Sequence, residues 1–237
     1  MNDSTAVYAG GELELFARAR NWKRYLADRL APHIVGEVAE VGAGLGAMTA
    51  VLCGANVSHW LCLEPDAAMA AQVARAIEDG ELPAKCRVFN GTLADFAEES
   101  RFETILYIDV LEHIEEDRAE LERAARRLKS GGRLVVLSPA HRWLFSPFDK
   151  AIGHFRRYNL SDEVSLAPHG ITLVAARYID SVGLLASTAN RLWLRASMPT
   201  LRQILIWDRL MVPLSRQLDR LTFGRLGKSV LFVWRKT

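Results

Sequence analysis

Three glycines and two carboxylates mark where this chain could do chemistry. The stretch Glu40-Val-Gly42-Ala43-Gly44-Leu-Gly46 sets glycines at alternate positions directly after a short apolar run. Without side chains the backbone there can lie against a ligand, and the Ala/Leu-rich stretch that follows predicts a helix whose first N–H groups point at the same place. Glu64 ends a second apolar run eighteen positions after Gly46, in Leu61-Cys-Leu-Glu64-Pro65-Asp66. An acid so placed can accept hydrogen bonds from the two hydroxyls of a ribose. The loop also fits the dinucleotide pattern G-x-G-x-x-G/A through Gly42, Gly44 and Ala47. Glu40 argues the other way, because a carboxylate gains nothing beside a pyrophosphate but attracts an ammonium.

These residues need a parallel sheet to hold them. Apolar or β-branched runs bounded by Gly, Pro, Asp or Ser predict strands near 36–41, 60–64, 86–91, 103–109 and 133–138, with Ile171–Tyr178 and Ser229–Trp234 as the sixth and seventh. Between them Ala67–Ile77 and Glu115–Leu128 read as helices, the second stopped by Gly131 and Gly132. Strand–helix alternation implies a sheet covered on both faces. The segment Leu13–Leu26 reads as an amphipathic helix over the sheet's C-terminal edge, with Phe16, Trp22 and Tyr25 either closing a cofactor pocket or packing in the core.

At this point the chain resembles the class I S-adenosylmethionine-dependent methyltransferases, in the small-molecule and quinone-modifying branch. The matching pieces are Glu40–Gly46, Leu63–Asp66, Asp109-Val110-Leu-Glu112-His113-Ile114 and Lys129–Val136, together spanning about residues 34 to 140. The resemblance implies an α/β, Rossmann-like doubly wound sheet of order 3-2-1-4-5-7-6 with the last strand antiparallel. It implies S-adenosylmethionine as cofactor and S-adenosylhomocysteine as product. It assigns cofactor binding to Glu40, Gly42, Ala43, Gly44, Gly46, Glu64, Pro65, Thr92, Leu93, Asp109 and Val110. The family's usual acid after the third strand is replaced here by Asn90-Gly-Thr92-Leu93-Ala-Asp95, so Thr92 through its hydroxyl and Leu93 through ring packing and its N–H stand in for it.

After the fifth strand, Ser138 to Tyr158 is the densest polar and aromatic cluster in the chain, and it resembles the Gly-His-x-Arg-Arg-Tyr element of bacterial small-molecule methyltransferases. His113, His141 and His154 are the candidate proton acceptors, and Trp143, Arg156, Arg157 and Tyr158 the candidate acceptor-binding residues. An Asp149 pair with Arg156 or Arg157 could equally pin a lid. No cluster of His and carboxylates stands out as a metal site, so none is expected.

The 237 residues suggest one domain: an N-terminal helical cap over 1–33, a cofactor-binding core over 34–180, a helical insertion over 181–227 and a final strand over 228–237. From Val182 to Gly227 the chain carries seven arginines against Asp208 and Asp219, with Trp193, Trp207, Met211 and many leucines. This insertion could cover an apolar acceptor, form a homodimer face or rest on an anionic membrane. The net charge of +2 does not argue for nucleic acid. Cys53, Cys62 and Cys86 read as reduced core residues, and the N-terminal sequence shows no signal peptide, so a cytoplasmic enzyme is expected. Methylation of an oxygen or nitrogen on a small or lipid-like metabolite is the leading function. A non-catalytic nucleoside-binding module and an NAD-dependent oxidoreductase are the alternatives.

Overall fold

The computed structural model describes residues 18–96, 100–189, 191 and 200–237. Its strands are β1 (Gly36–Val41), β2 (Val57–Glu64), β3 (Cys86–Asn90), β4 (Phe102–Ile108), β5 (Leu128–Pro139), β6 (Ile171–Ile179) and β7 (Ser229–Lys236). The helices are α1 (Arg20–Leu30), α2 (Thr49–Leu52), α3 (Ala67–Glu78), α4 (Asp117–Arg127), α5 (Pro147–Ala151), α6 (Glu163–Leu166), α7 (Ser181–Ala189), α8 (Leu201–Ile206) and α9 (Val212–Leu221). All seven strands form one sheet of order β3-β2-β1-β4-β5-β7-β6, parallel except for β7, which runs antiparallel to both neighbours. This is the α/β, Rossmann-like methyltransferase arrangement expected above.

Successive strand residues point to opposite faces, so the sheet builds two cores. Val38, Leu106, Val135 and Leu231 face one side, where Trp22 and Leu26 of α1 meet Trp207 and Val212. Ala39, Tyr107, Val136 and Phe232 face the other, against Leu121 and Ala124 of α4. Because the middle strands are buried on both faces, their sequences are continuous apolar runs, which is why they were legible. The strand order reverses between β1 and β4, and the crevice at the carboxyl ends of such strands is where α/β sheets bind ligands.

Several local expectations need correction. The helix after the glycine loop is only the single turn α2, because Gly46 turns left-handed (φ 73°) and Ala43 to Met48 form turns before it. Gly131 and Gly132 do not stop α4, which ends at Arg127 when Leu128 turns extended and pairs with Phe102. The next paired residue is Arg133 with Thr104, so residues 129–132 form a bulge in β5. A β-carbon on Gly132 would sit 2.8 Å from the Lys129 carbonyl, which explains a glycine at that bend. Trp22 and Tyr25 are core residues rather than a pocket lid, at 7% and 1% exposed; Phe16 lies outside the described residues, as do Trp193 and Arg195.

Buried acids fasten the insertion to the sheet. Asp208 accepts the backbone N–H of Trp22 at 2.8 Å, tying α8–α9 to α1. Asp219 accepts the N–H groups of Asp180 (2.7 Å) and Ser181 (3.0 Å) and the hydroxyl of Tyr25. Asp180, itself fully buried, accepts from the Trp207 indole at 2.9 Å and from Ser215 at 2.5 Å. Hydrogen bonds to charged groups are worth about 1.5–3 kcal/mol each, so these acids anchor the helices rather than balance surface charge.

Candidate active site at the carboxyl edge of the sheet

The glycine loop leaves β1 by crossing to its neighbour: the Gly42 and Ala43 N–H groups donate to the Leu63 carbonyl at 2.8 and 3.2 Å. Gly42, Gly44 and Gly46 have φ of 70°, 55° and 73°, a region that L side chains rarely adopt. At Gly42 an added β-carbon would lie 2.6 Å from Cγ2 of Val110, so the loop packs directly on the end of β4. Glu64, 5% exposed, accepts the Gly44 N–H at 2.7 Å through Oε2 and the Asp66 N–H at 2.9 Å through Oε1. Asp66 then caps α3 by accepting the Met69 N–H at 2.9 Å. Asn90 at the end of β3 donates to the carbonyls of Glu64 (2.9 Å) and Pro65 (3.1 Å), so the ends of three strands are laced together.

Glu40, in β1 two residues before Gly42, is buried. Its Oε2 accepts from the hydroxyl of Thr49 at 2.5 Å and the indole of Trp60 at 2.9 Å. Burial pushes its pKa up to about 7, against the pull of those two hydrogen bonds. Thr92 donates its N–H and its hydroxyl to Asp95 at 2.9 and 2.7 Å. The Leu93 side chain is fully buried in the second core, so it is core packing rather than a wall for a ring.

Asp109 follows β4 with φ 52° and donates its N–H to the Leu137 carbonyl at 2.9 Å. Its side chain is exposed to solvent at the end of the strand although protein packs around it. Burial there raises its pKa to about 6, with Lys228 and His154 pulling it down. Glu112, one turn on, is fully buried, and neither carboxylate oxygen has a hydrogen-bond partner. Burial, then the neighbouring Asp109, raise its pKa well above the usual carboxylate range. His113 stacks edge-on against His154 with ring centroids 4.6 Å apart, and burial and His154 lower its pKa to about 4.

The loop after β5 is organised around Asp149. Its Oδ1 accepts from Arg157 Nε at 2.7 Å and lies 3.0 Å from His154 Nδ1, while Oδ2 accepts from Arg157 at 3.1 Å and from the Ser146 N–H and hydroxyl at 2.9 and 2.8 Å. Although burial works against it, the hydrogen bonds from His154 and Arg157 hold this carboxyl well below the usual range. With Nδ1 turned to Asp149, the Nε2 of His154 lies 3.9 Å from Glu112 Oε1. Arg156 pairs with Asp117 at 2.8 Å and reaches the Glu115 carbonyl at 2.6 Å. Tyr158 is buried and donates to Asp117 at 2.9 Å. The lid-pinning alternative therefore describes both arginines, through Asp149 for Arg157 and Asp117 for Arg156. His141 stands apart: its Nε2 is 2.9 Å from the Gly227 carbonyl and its ring stacks on Tyr178. Trp143 and Phe155 are about half exposed beside this loop.

Sequence reasoning missed three participants. Lys228, far along the chain and beside Asp180, lowers the pKa of Asp109 through its charge, with no local signal. Asp149 was read as an arginine partner and turned out also to orient His154, a pairing that its five-residue spacing across a short helix permits. Glu112, His113 and His154 come together only in the fold, each offering a ligand atom within 4.8 Å of the others, so among the described residues these three could hold a metal ion. Two clefts lie away from the strand ends, one of about 500 Å³ between α1 and α9 and one of about 460 Å³ lined by Arg101, Arg123, Arg126 and Arg127. The strand-end site is defined by its residues, since the glycine loop there lies down on Glu64.

Residues 39–134, from β1 into β5, match a family model described as a methyltransferase domain. No curated protein matches the chain. Among solved structures it is similar to coclaurine N-methyltransferase bound to N-methylheliamine and S-adenosylhomocysteine, at 13% identity and TM-score 0.63 over 92% of this chain and 72% of that one. It is similar to the [4+2]-cyclase SpnF at 16% identity and TM-score 0.63, over 96% and 94% of the two chains. A third similar structure is an S-adenosylmethionine-dependent methyltransferase from Clostridium acetobutylicum, at 9% identity and TM-score 0.57 over 92% of each chain.

Proposed function

Taking as premise that residues 39–134 are a class I methyltransferase domain whose cofactor is S-adenosylmethionine, we propose that this chain methylates an oxygen or nitrogen of a small or lipid-like acceptor. The observation that carries the reading is the glycine loop closed on Glu64 inside the matched segment. Each carboxylate oxygen there accepts one backbone N–H and keeps a second lone pair for a ribose hydroxyl. Left-handed glycines let the chain pass the ligand without side chains, and Val110 and Asp109 supply the adjoining wall. Glu40, at the root of the loop, is the carboxylate that complements the ammonium of the cofactor's amino-acid end.

When bound, the cofactor supplies a methyl group on a positively charged sulfur, already a good electrophile. The chain's contribution is to hold the acceptor atom in line and to exclude water, worth about 7–11 kcal/mol in favourable cases. Half-exposed Trp143 and Phe155 beside the polar loop suit an acceptor with an apolar part. His154, oriented by Asp149, is the group that takes the acceptor's proton, with His113 against it at the mouth of the cluster. Arg157 serves as a positioning residue through Asp149.

The fold alone does not dictate the reaction, since a cyclase shares it. Release of S-adenosylhomocysteine from S-adenosylmethionine in the presence of amphiphilic hydroxyl or amine acceptors is the direct test. His154→Ala should lower kcat by about 10²–10⁴ with the dissociation constant for S-adenosylhomocysteine unchanged. Calorimetry showing tight binding of NAD and none of S-adenosylhomocysteine would replace this reading with an oxidoreductase.

A further inference from the structure

The outward face of α8 and α9 has no role in the site described. Leu210, Leu214, Leu218 and Leu221 recur at helical spacing and are 62%, 57%, 41% and 73% exposed; Phe223, in the turn that follows, is 85% exposed. Soluble surfaces rarely carry so many large apolar side chains in one strip. The helices' opposite face supplies Ile204, Trp207, Val212 and Asp219 to the interior, so the leucine strip points away from the sheet and cannot roof the acceptor pocket.

Its charge is of one sign. From residue 200 to 227, Arg202, Arg209, Arg216, Arg220 and Arg225 are exposed, while both acids of the segment, Asp208 and Asp219, are buried and spent on backbone and hydroxyl donors. Beside the strip, the cleft of about 500 Å³ between α1 and α9 is lined by Arg24, Arg216 and Arg220 with Asn21 and Gln217. Asp28 meets Arg216 at its edge. A cationic cleft next to an apolar strip matches a phosphate headgroup above its acyl chains. A second copy of the chain fits poorly, because a twofold interface sets each patch against itself and would bring arginines together.

We propose that this face docks the protein on an anionic lipid bilayer, Leu210, Leu214, Leu218, Leu221 and Phe223 entering the interface and the arginines meeting lipid phosphates. Docking is peripheral, for no described helix is long and apolar enough to cross a membrane. It would bring a lipid-like acceptor to the enzyme by diffusion in two dimensions.

The test is co-sedimentation of the full chain with vesicles of phosphatidylcholine alone or mixed with phosphatidylglycerol. Binding should require phosphatidylglycerol and weaken as salt is raised. Arg209→Gln and Arg220→Gln should each lower the partition coefficient about fivefold, and Leu214→Ser with Phe223→Ser should abolish it, with melting temperature and S-adenosylhomocysteine affinity unchanged. Equal binding to both vesicle types, no binding, or indifference to the variants would overturn the proposal. So would a dimer in sedimentation equilibrium that Leu214→Ser and Phe223→Ser dissolve, which would assign the face to a second copy. Failure of the wild-type chain to bind S-adenosylhomocysteine would undo the methyltransferase reading and leave the vesicle result standing.

Discussion

Glu64 does two jobs, and a pair of substitutions separates them. Its carboxylate holds the Gly44 and Asp66 N–H groups at 2.7 and 2.9 Å, and is proposed to hold the ribose through its remaining lone pairs. In Glu64→Ala both backbone bonds are lost. Hydrogen bonds to charged groups are worth about 1.5–3 kcal/mol, and water can reach both donors, so the low end applies and the loss is about 3 kcal/mol. For a chain of this size each kcal/mol moves the melting temperature by about 2–4 °C, which predicts a fall of about 6–12 °C. Glu64→Gln keeps one acceptor oxygen and the shape, so its melting temperature should fall by less. Its affinity for S-adenosylhomocysteine should still drop, by about 10- to 150-fold for one charge-assisted bond, because a single amide oxygen cannot serve two backbone donors and two hydroxyls. Calorimetry well below both melting temperatures reads this directly. A wild-type dissociation constant for Glu64→Gln would refute the ribose assignment and leave Glu64 as a brace for the loop.

Two further substitutions probe the surroundings of the site. The folded-state pKa of Glu40, about 7, is raised above its unfolded value, so its contribution to stability is full below about 4.5 and is lost as pH rises through 7; urea melts at pH 5 and pH 8 should show this slope in the wild type and not in Glu40→Gln, and equal slopes would remove Glu40 as the cause. Arg157→Ala strands the buried Asp149 carboxylate and should cost about 3–5 kcal/mol in chemical denaturation, whereas Arg156→Ala, whose side chain is 34% exposed beside Asp117, should cost about 1 kcal/mol or less; equal losses would mean that Asp149 is not the centre of the loop.

What the sequence disclosed follows the range of the interactions involved. A strand buried on both faces writes itself as an apolar run, and all seven strands were found, six of them ending within a residue of where the structure ends them. The largest shift of a strand's start is at β5, which begins at Leu128 rather than 133, because the bulge at 129–132 interrupts its pairing, and a bulge looks in sequence like a helix stop. Glycine spacing and the acid after β2 were equally legible, because loop and acid sit on adjacent strands. The helix after the loop was overread: an Ala-rich stretch has helix propensity, but three left-handed glycines and the turns they make consume most of its length.

Pairings across the fold were the illegible part, and they decide what each charged residue is free to do. Arg156 and Arg157 look in isolation like residues for an acceptor, yet each already faces a carboxylate in the folded chain. Asp208 and Asp219 look like counter-ions for the insertion's arginines, yet α1 and the β6 terminus claim them. Both cases have one cause, since net charge counts residues while pairing and exposure decide which of them a partner can meet. Correcting both moves the free positive charge away from the acceptor loop and onto the outer face of α8 and α9. If the acceptor lies against Trp143, Phe155 and the His154 cluster as proposed, it needs no anionic group of its own to be recognised, and the proposed membrane contact is where the arginines would act.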